Sequence, residues 1–163
     1  MIIVNHPHPA LTLRAEQVTV FDDELRRLVG DMTQLMYTQQ GVGLAAPQVD
    51  VNKRVLIIDP SGGEVATNLT VMINPCVIWR SPESEVGEEG CLSLPGVTLM
   101  VSRPKIVEIE YLDMTGNFLL HTKYMGLSAR IVQHEIDHLD GIMMTNRVSQ
   151  FARRLALKEL SNT

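Results

Sequence analysis

The chain has 163 residues, 45% of them apolar and 20% charged, with a net charge of −5. These numbers describe one globular domain, 1–163, long enough to bury a core and too short to divide into two. The acidic balance speaks against broad, non-specific nucleic-acid binding, no sequence-specific nucleic-acid partner is expected, and no apolar run reaches the ~18 residues of a membrane helix.

Residues up to about 20 contain Pro7 and Pro9 with little periodicity and read as a wrapped loop. The opening residues lack a charged segment followed by an apolar stretch, so no secretory signal is expected. From 22 to 40, Leu25, Leu28, Val29, Met32, Leu35 and Met36 recur at helical spacing, with Asp22 or Asp23 as cap and Gly41 at the stop. Gly30 inside that helix costs about 1 kcal/mol relative to Ala, which calls for a close neighbour. Gly41-Val42-Gly43-Leu44-Ala45-Ala46-Pro47-Gln48 follows as a glycine-rich corner, where Gln48 can aim an amide N–H at developing negative charge.

The span 54–58 is almost continuously apolar, as a strand buried on both faces would be. The span 71–79 is a second strand candidate whose Pro75 predicts an edge or a bulge, and Cys76 within it reads as a small buried hydrophobe. Residues 105–112 and 118–124 flank Asp113-Met114-Thr115-Gly116-Asn117 and predict a hairpin. Helices are expected at 127–139, stopped near Asp140-Gly141, and at 150–160, capped by Ser149. Strands in the middle with helices at the ends and between predict an α+β fold: short, mostly antiparallel sheets around a central helix, with an N-terminal helix and a short C-terminal one.

The central helix carries His134-Glu135-Ile136-Asp137-His138. Residues four apart share a helical face, so both imidazoles can close on one cation, with Glu135 beside the ion and free to take a proton from water. A catalytic ion of this kind usually has three protein ligands and one open position. The third ligand is open among His121, the acidic stretch 83–89 and, most pointedly, Cys91, which Gly90 and Pro95 present from a shaped loop. If Cys91 is a ligand, no cysteine pair remains, and a reducing cytoplasm fits best.

Three ordered segments carry a resemblance: Gly41-Val42-Gly43-Leu44-Ala45-Ala46-Pro47-Gln48, Glu89-Gly90-Cys91-Leu92-Ser93 and Gln133-His134-Glu135-Ile136-Asp137-His138. Gln48 to Cys91 and Cys91 to His134 are each 43 residues apart. In motif, order and spacing the chain resembles the peptide deformylases, from Pro9 to about Gly141. The resemblance implies removal of the N-formyl group from the formyl-methionine of newly made polypeptides. Cys91, His134 and His138 would hold a divalent metal, natively Fe(II), with Zn(II), Ni(II) or Co(II) as substitutes. Metal-bound water would attack the formyl carbon, with Glu135 as general base and then acid. Gln48 and the backbone N–H of Leu92 would stabilise the oxyanion.

The resemblance also implies that the peptide lies extended beside Val42, Gly43 and Leu44 and beside Glu89 and Gly90. Val42, Leu92, Leu127, Ile131 and the flank of His134 would line a methionine pocket, and an Arg103–Glu89 pair would fix the Cys91 loop. The setting implied is a bacterial-type cytoplasm, with an organelle or a virus-infected cell as other hosts. Arg147, Arg153, Arg154 and Lys158 are the groups for a transient ribosome contact, although a solvated helix face is the plainer reading. Two rivals remain. A His-Glu-x-x-His protease would take its third ligand downstream, where the 25 residues after His138 hold no His. A closed, metal-stapled binding module would add Cys76 or His121 as a fourth ligand.

Overall fold

Asp22 has extended backbone, and its carboxylate accepts from the Leu25 N–H, so helix α1 (Asp23–Thr38) begins there. The computed structural model describes residues 1–63 and 68–161. The long sheet is antiparallel throughout, in the order β1 (Gly43–Ala45), β2 (Val55–Ile58), β3 (Thr70–Arg80), β6 (Ile106–Leu112), β7 (Phe118–Met125). A second, two-stranded sheet pairs β4 (Ser84–Cys91) with β5 (Leu94–Pro104). Helix α2 (Gly126–Leu139) follows β7 directly, and α3 (Gln150–Leu160) starts at Ser149, whose hydroxyl accepts from the Ala152 N–H.

Strand β2 shows why the core has two halves. Its side chains alternate between faces. Leu56 and Ile58 join Ala129, Val132, Ile136 and Leu139 of α2 in one cluster. Val55 and Ile57 join Leu25, Val29, Met32 and Met36 of α1 in another. All four strand residues are buried, so this strand has no polar face to display. A third cluster sets Leu94, Val97, Leu99 and Val101 of β5 against Ala156 of α3 and against Met143 and Met144, which lie between α2 and α3. Helix α2 thus lies on the long sheet, with the short hairpin beside it.

Pro75 marks the bulge, one of the two outcomes expected there: β3 is a central strand, and its register slips between Ile73 and Cys76. Other expectations are corrected. Cys76 is exposed, not buried. Gly30 has nothing within 4 Å of where a Cβ would stand, so no close packing explains it. The opening loop includes a 3-10 turn, Pro9–Thr12, that buries Leu11 completely. The glycine-rich corner contains the short strand β1. The largest difference is the β4–β5 hairpin, whose first strand ends at Cys91. Cys91 is therefore presented from a strand end, and Gly90 there has neither a positive φ nor a close neighbour.

Candidate metal centre

Strand β4 and helix α2 bring together three of the residues singled out by the sequence. Single donor atoms of Cys91, His134 and His138 all lie within 4.8 Å of one another. His138 Nε2 is 3.3 Å from Cys91 Sγ. The Nδ1 atom of His134 is 2.9 Å from Glu89 Oε2, so its other nitrogen is the one left for a ligand's role. His121 and Cys76 are exposed and stand outside this group. Cys91, His134 and His138 are the one such group among the described residues.

The electrostatics fit a cation. Burial and the neighbouring His134 hold the His138 ring well below the usual histidine range, hence neutral and able to donate a lone pair. Burial opposes a charge on His134, yet hydrogen bonding to Cys91 and Glu89 outweighs it and holds that ring well above its ordinary value. A ring between a sulfur and a carboxylate that favours positive charge marks a place where a cation is stabilised. One soft sulfur and two imidazoles suit a first-row transition metal better than magnesium or calcium.

Glu135 is buried, and its Oε2 has no hydrogen-bond partner in the protein. Burial is the main reason its carboxyl is pushed up to about 7. Gly43 on β1 makes room for it. A Cβ there would collide with Glu135 Oε1 and stand 2.8 Å from Ile131. Gln48 is aimed by its own amide: Oε1 accepts from the Ala45 N–H at 2.9 Å, and Nε2 points to Ser93 Oγ at 3.3 Å and Cys91 Sγ at 3.6 Å.

A cavity of about 560 Å³ opens onto this group. Of the residues expected at the peptide site, Val42, Gly43, Glu89, Gly90, Leu92, Leu127 and Ile131 line it, as do Gln48, Cys91, His134 and Glu135. Leu44 does not; its side chain is fully buried in the α1 cluster, so only its backbone lies on the sheet edge.

Behind the cavity runs a buried ionic network that sequence reasoning caught only in its Arg103–Glu89 pair. Arg103 meets both Glu89 oxygens, at 2.6 and 2.9 Å, and reaches Asp137 at 2.7 Å. Arg147 closes on Asp137 with two more bonds. Burial would raise the Glu89 carboxyl, but Arg103 and His134 bring it down to about 2. Arg130 joins Glu89 at 2.8 Å. It stands four residues before His134, and an arginine on that helical face requires a carboxylate, a signal the sequence offered. Ser93, fully buried beneath Gln48, was the other omission.

Residues 1–154 match the polypeptide deformylase family model. The chain is 41% identical to the peptide deformylase of Thermotoga neapolitana over 152 residues, covering 93% of this chain and 89% of that one. It is 43% identical to the rice protein "Peptide deformylase 1B, chloroplastic" over 147 residues, 90% of this chain, and spans only 54% of that protein's length. A solved peptide deformylase from Plasmodium falciparum superposes with a TM-score of 0.93 at 38% identity, covering 99% of this chain and 94% of that one.

Proposed function

The chain belongs to the polypeptide deformylase family, and from that premise we propose how its residues carry out the reaction. The activity is metal-dependent hydrolysis of the N-formyl group of formyl-methionyl peptides, with release of formate. Cys91, His134 and His138 would hold the divalent cation; by family resemblance this is Fe(II), with Zn(II), Ni(II) or Co(II) as substitutes. When bound, that ion supplies Lewis acidity, making water a nucleophile near neutral pH and polarising the formyl carbonyl.

Glu135 takes the proton of the attacking water at Oε2, the oxygen without a partner, and returns it to the leaving amine. A carboxyl pushed up to about 7 suits both halves of that exchange near neutral pH. Gln48, whose Oε1 accepts from the Ala45 N–H and whose Nε2 rests near Ser93 Oγ, donates through Nε2 to the formyl oxygen as charge grows on it, and the Leu92 N–H is the second donor. Strands β1 and β4 each have one neighbour in their sheets, and Gly43 of β1 and Glu89 of β4 both line the cavity. An extended peptide would bond to these free edges, and main-chain pairing is indifferent to side chains. Arg147 is engaged with Asp137, which leaves Arg153, Arg154 and Lys158 for a transient ribosome contact. We place this chemistry in a bacterial-type cytoplasm. Among the described residues no helix is long and apolar enough to cross a membrane.

The convergence of a sulfur and two ring nitrogens beside a buried, unpartnered carboxylate carries this reading. The test is anaerobic purification with metal analysis, followed by formate release from a formyl-Met peptide. Glu135→Ala should keep its ion and lose about 10²–10⁴-fold in kcat. Equal rates for the two proteins would defeat the mechanism.

A further inference from the structure

We propose that Arg130 is a positioning residue for the metal centre, fastening the hairpin that carries Cys91 to the helix that carries His134 and His138. The inference rests on reading those three as metal ligands. Arg130 lies one turn before His134, with a side chain only 15% exposed. Its Nη1 donates to Glu89 Oε1 at 2.8 Å, to the Val101 carbonyl at 2.9 Å and to the Gly87 carbonyl at 3.4 Å. Its Nη2 donates to the Glu85 carbonyl at 2.8 Å. One side chain of α2 therefore reaches both strands of the short sheet. A planar guanidinium serves several converging oxygens at once, which an ammonium on a flexible stem does not.

The hairpin is shaped to receive it. A Cβ on Gly87 would stand 2.7 to 2.9 Å from the Arg130 guanidinium, closer than real contacts allow. Gly87 has no positive φ, so its lack of a side chain provides room and nothing else. Through Glu89, the same guanidinium bears on a proposed ligand. Glu89 uses Oε2 to hold His134 Nδ1 at 2.9 Å, while Arg130 and Arg103 pin the carboxylate from behind. A carboxylate so held cannot swing away from the imidazole, and the ring's other nitrogen stays aimed at the ion. Loss of such a support typically weakens metal binding ten- to hundredfold.

The test uses the full chain as wild type, Arg130→Met, Arg130→Lys and Gly87→Ala, with Co(II) as probe. Affinity is read by competition with a chelator, sulfur ligation by the thiolate-to-cobalt absorption band, and fold by thermal unfolding of the metal-free proteins. Arg130→Met should bind Co(II) about ten- to hundredfold more weakly. Arg130→Lys should recover part of that loss, and Gly87→Ala should weaken binding with every charge intact. If folded Arg130→Met and Gly87→Ala bind Co(II) as tightly as wild type and only unfold earlier, the arginine is merely structural and the proposal is overturned. Should Arg130→Met not fold, Gly87→Ala decides by the same criterion. A wild type that binds no Co(II), or shows no sulfur band, would sink the ligand reading itself, and this inference with it.

Discussion

Glu89 and Glu135 sit around the same imidazole, and their surroundings drive them apart. Arg103 and His134 hold Glu89 at about 2 against the effect of burial, while burial lifts Glu135 to about 7. The two glutamates should therefore answer differently to the same change. Glu89→Gln leaves Arg103 and Arg130 facing an uncharged amide in a dry interior, and breaking one side of a buried ion pair costs about 3–5 kcal/mol. Glu135→Gln removes a carboxylate whose Oε2 has no partner, so stability should hold or rise while turnover is lost. Urea denaturation of the metal-free proteins measures both. A Glu89→Gln loss below about 1 kcal/mol would mean that the ionic network contributes less than its geometry implies.

At the scale of elements, Asp59 joins the end of β2 to α1. Its Oδ2 accepts from the Tyr37 hydroxyl at 2.6 Å, and its Oδ1 accepts from the Ser61 N–H at 2.9 Å. Burial favours the neutral acid, but Ser61 and Tyr37 prevail and hold this carboxyl below the usual range. Burial and Asp59 push the Tyr37 phenol up to about 12. A lowered carboxyl stabilises the fold above its unfolded value and loses that contribution as pH falls through the folded one. A raised phenol contributes fully below about pH 10 and loses its contribution as pH climbs through about 12. Tyr37→Phe should thus cost about 1.5–3 kcal/mol at pH 7, and the cost should shrink as pH falls through the lowered Asp59 value. A cost that never shrinks before acid unfolds the protein would show that the bond does not depend on the Asp59 charge. The joint was hidden in the sequence because nothing local pairs residues 37 and 59. Caps and periodicity made the helices legible: Asp22, Ser149 and the apolar stripe of α1 placed α1 and α3 within two residues of their ends. The β4–β5 hairpin escaped because Pro95 and Gly96 suggest a loop. A period of two was nevertheless present in β5, where Val97, Leu99, Val101 and Arg103 all turn inward. Its last inward residue is an arginine, whose partners Glu89 and Asp137 come from other elements.

On the scale of the whole molecule, the proposed ligands come from two parts with separate apolar clusters, joined by the polar contacts of Arg103 and Arg130. Cys91 ends a strand of the short sheet, which is packed against α3, whereas His134 and His138 belong to the helix lying on the long sheet. An ion held by all three would staple these parts together, and whatever binds only the folded state stabilises it by mass action. With free metal at about 100 times its dissociation constant, the gain is about 2.7 kcal/mol. For a chain of this length that corresponds to about 5–10 °C in unfolding temperature. Calorimetry with excess Co(II), and again after chelation, should show a fall of that size in wild type. Cys91→Ala should show much less, because the staple then grips only α2. An equal fall in Cys91→Ala would show that the stabilising ion does not use Cys91.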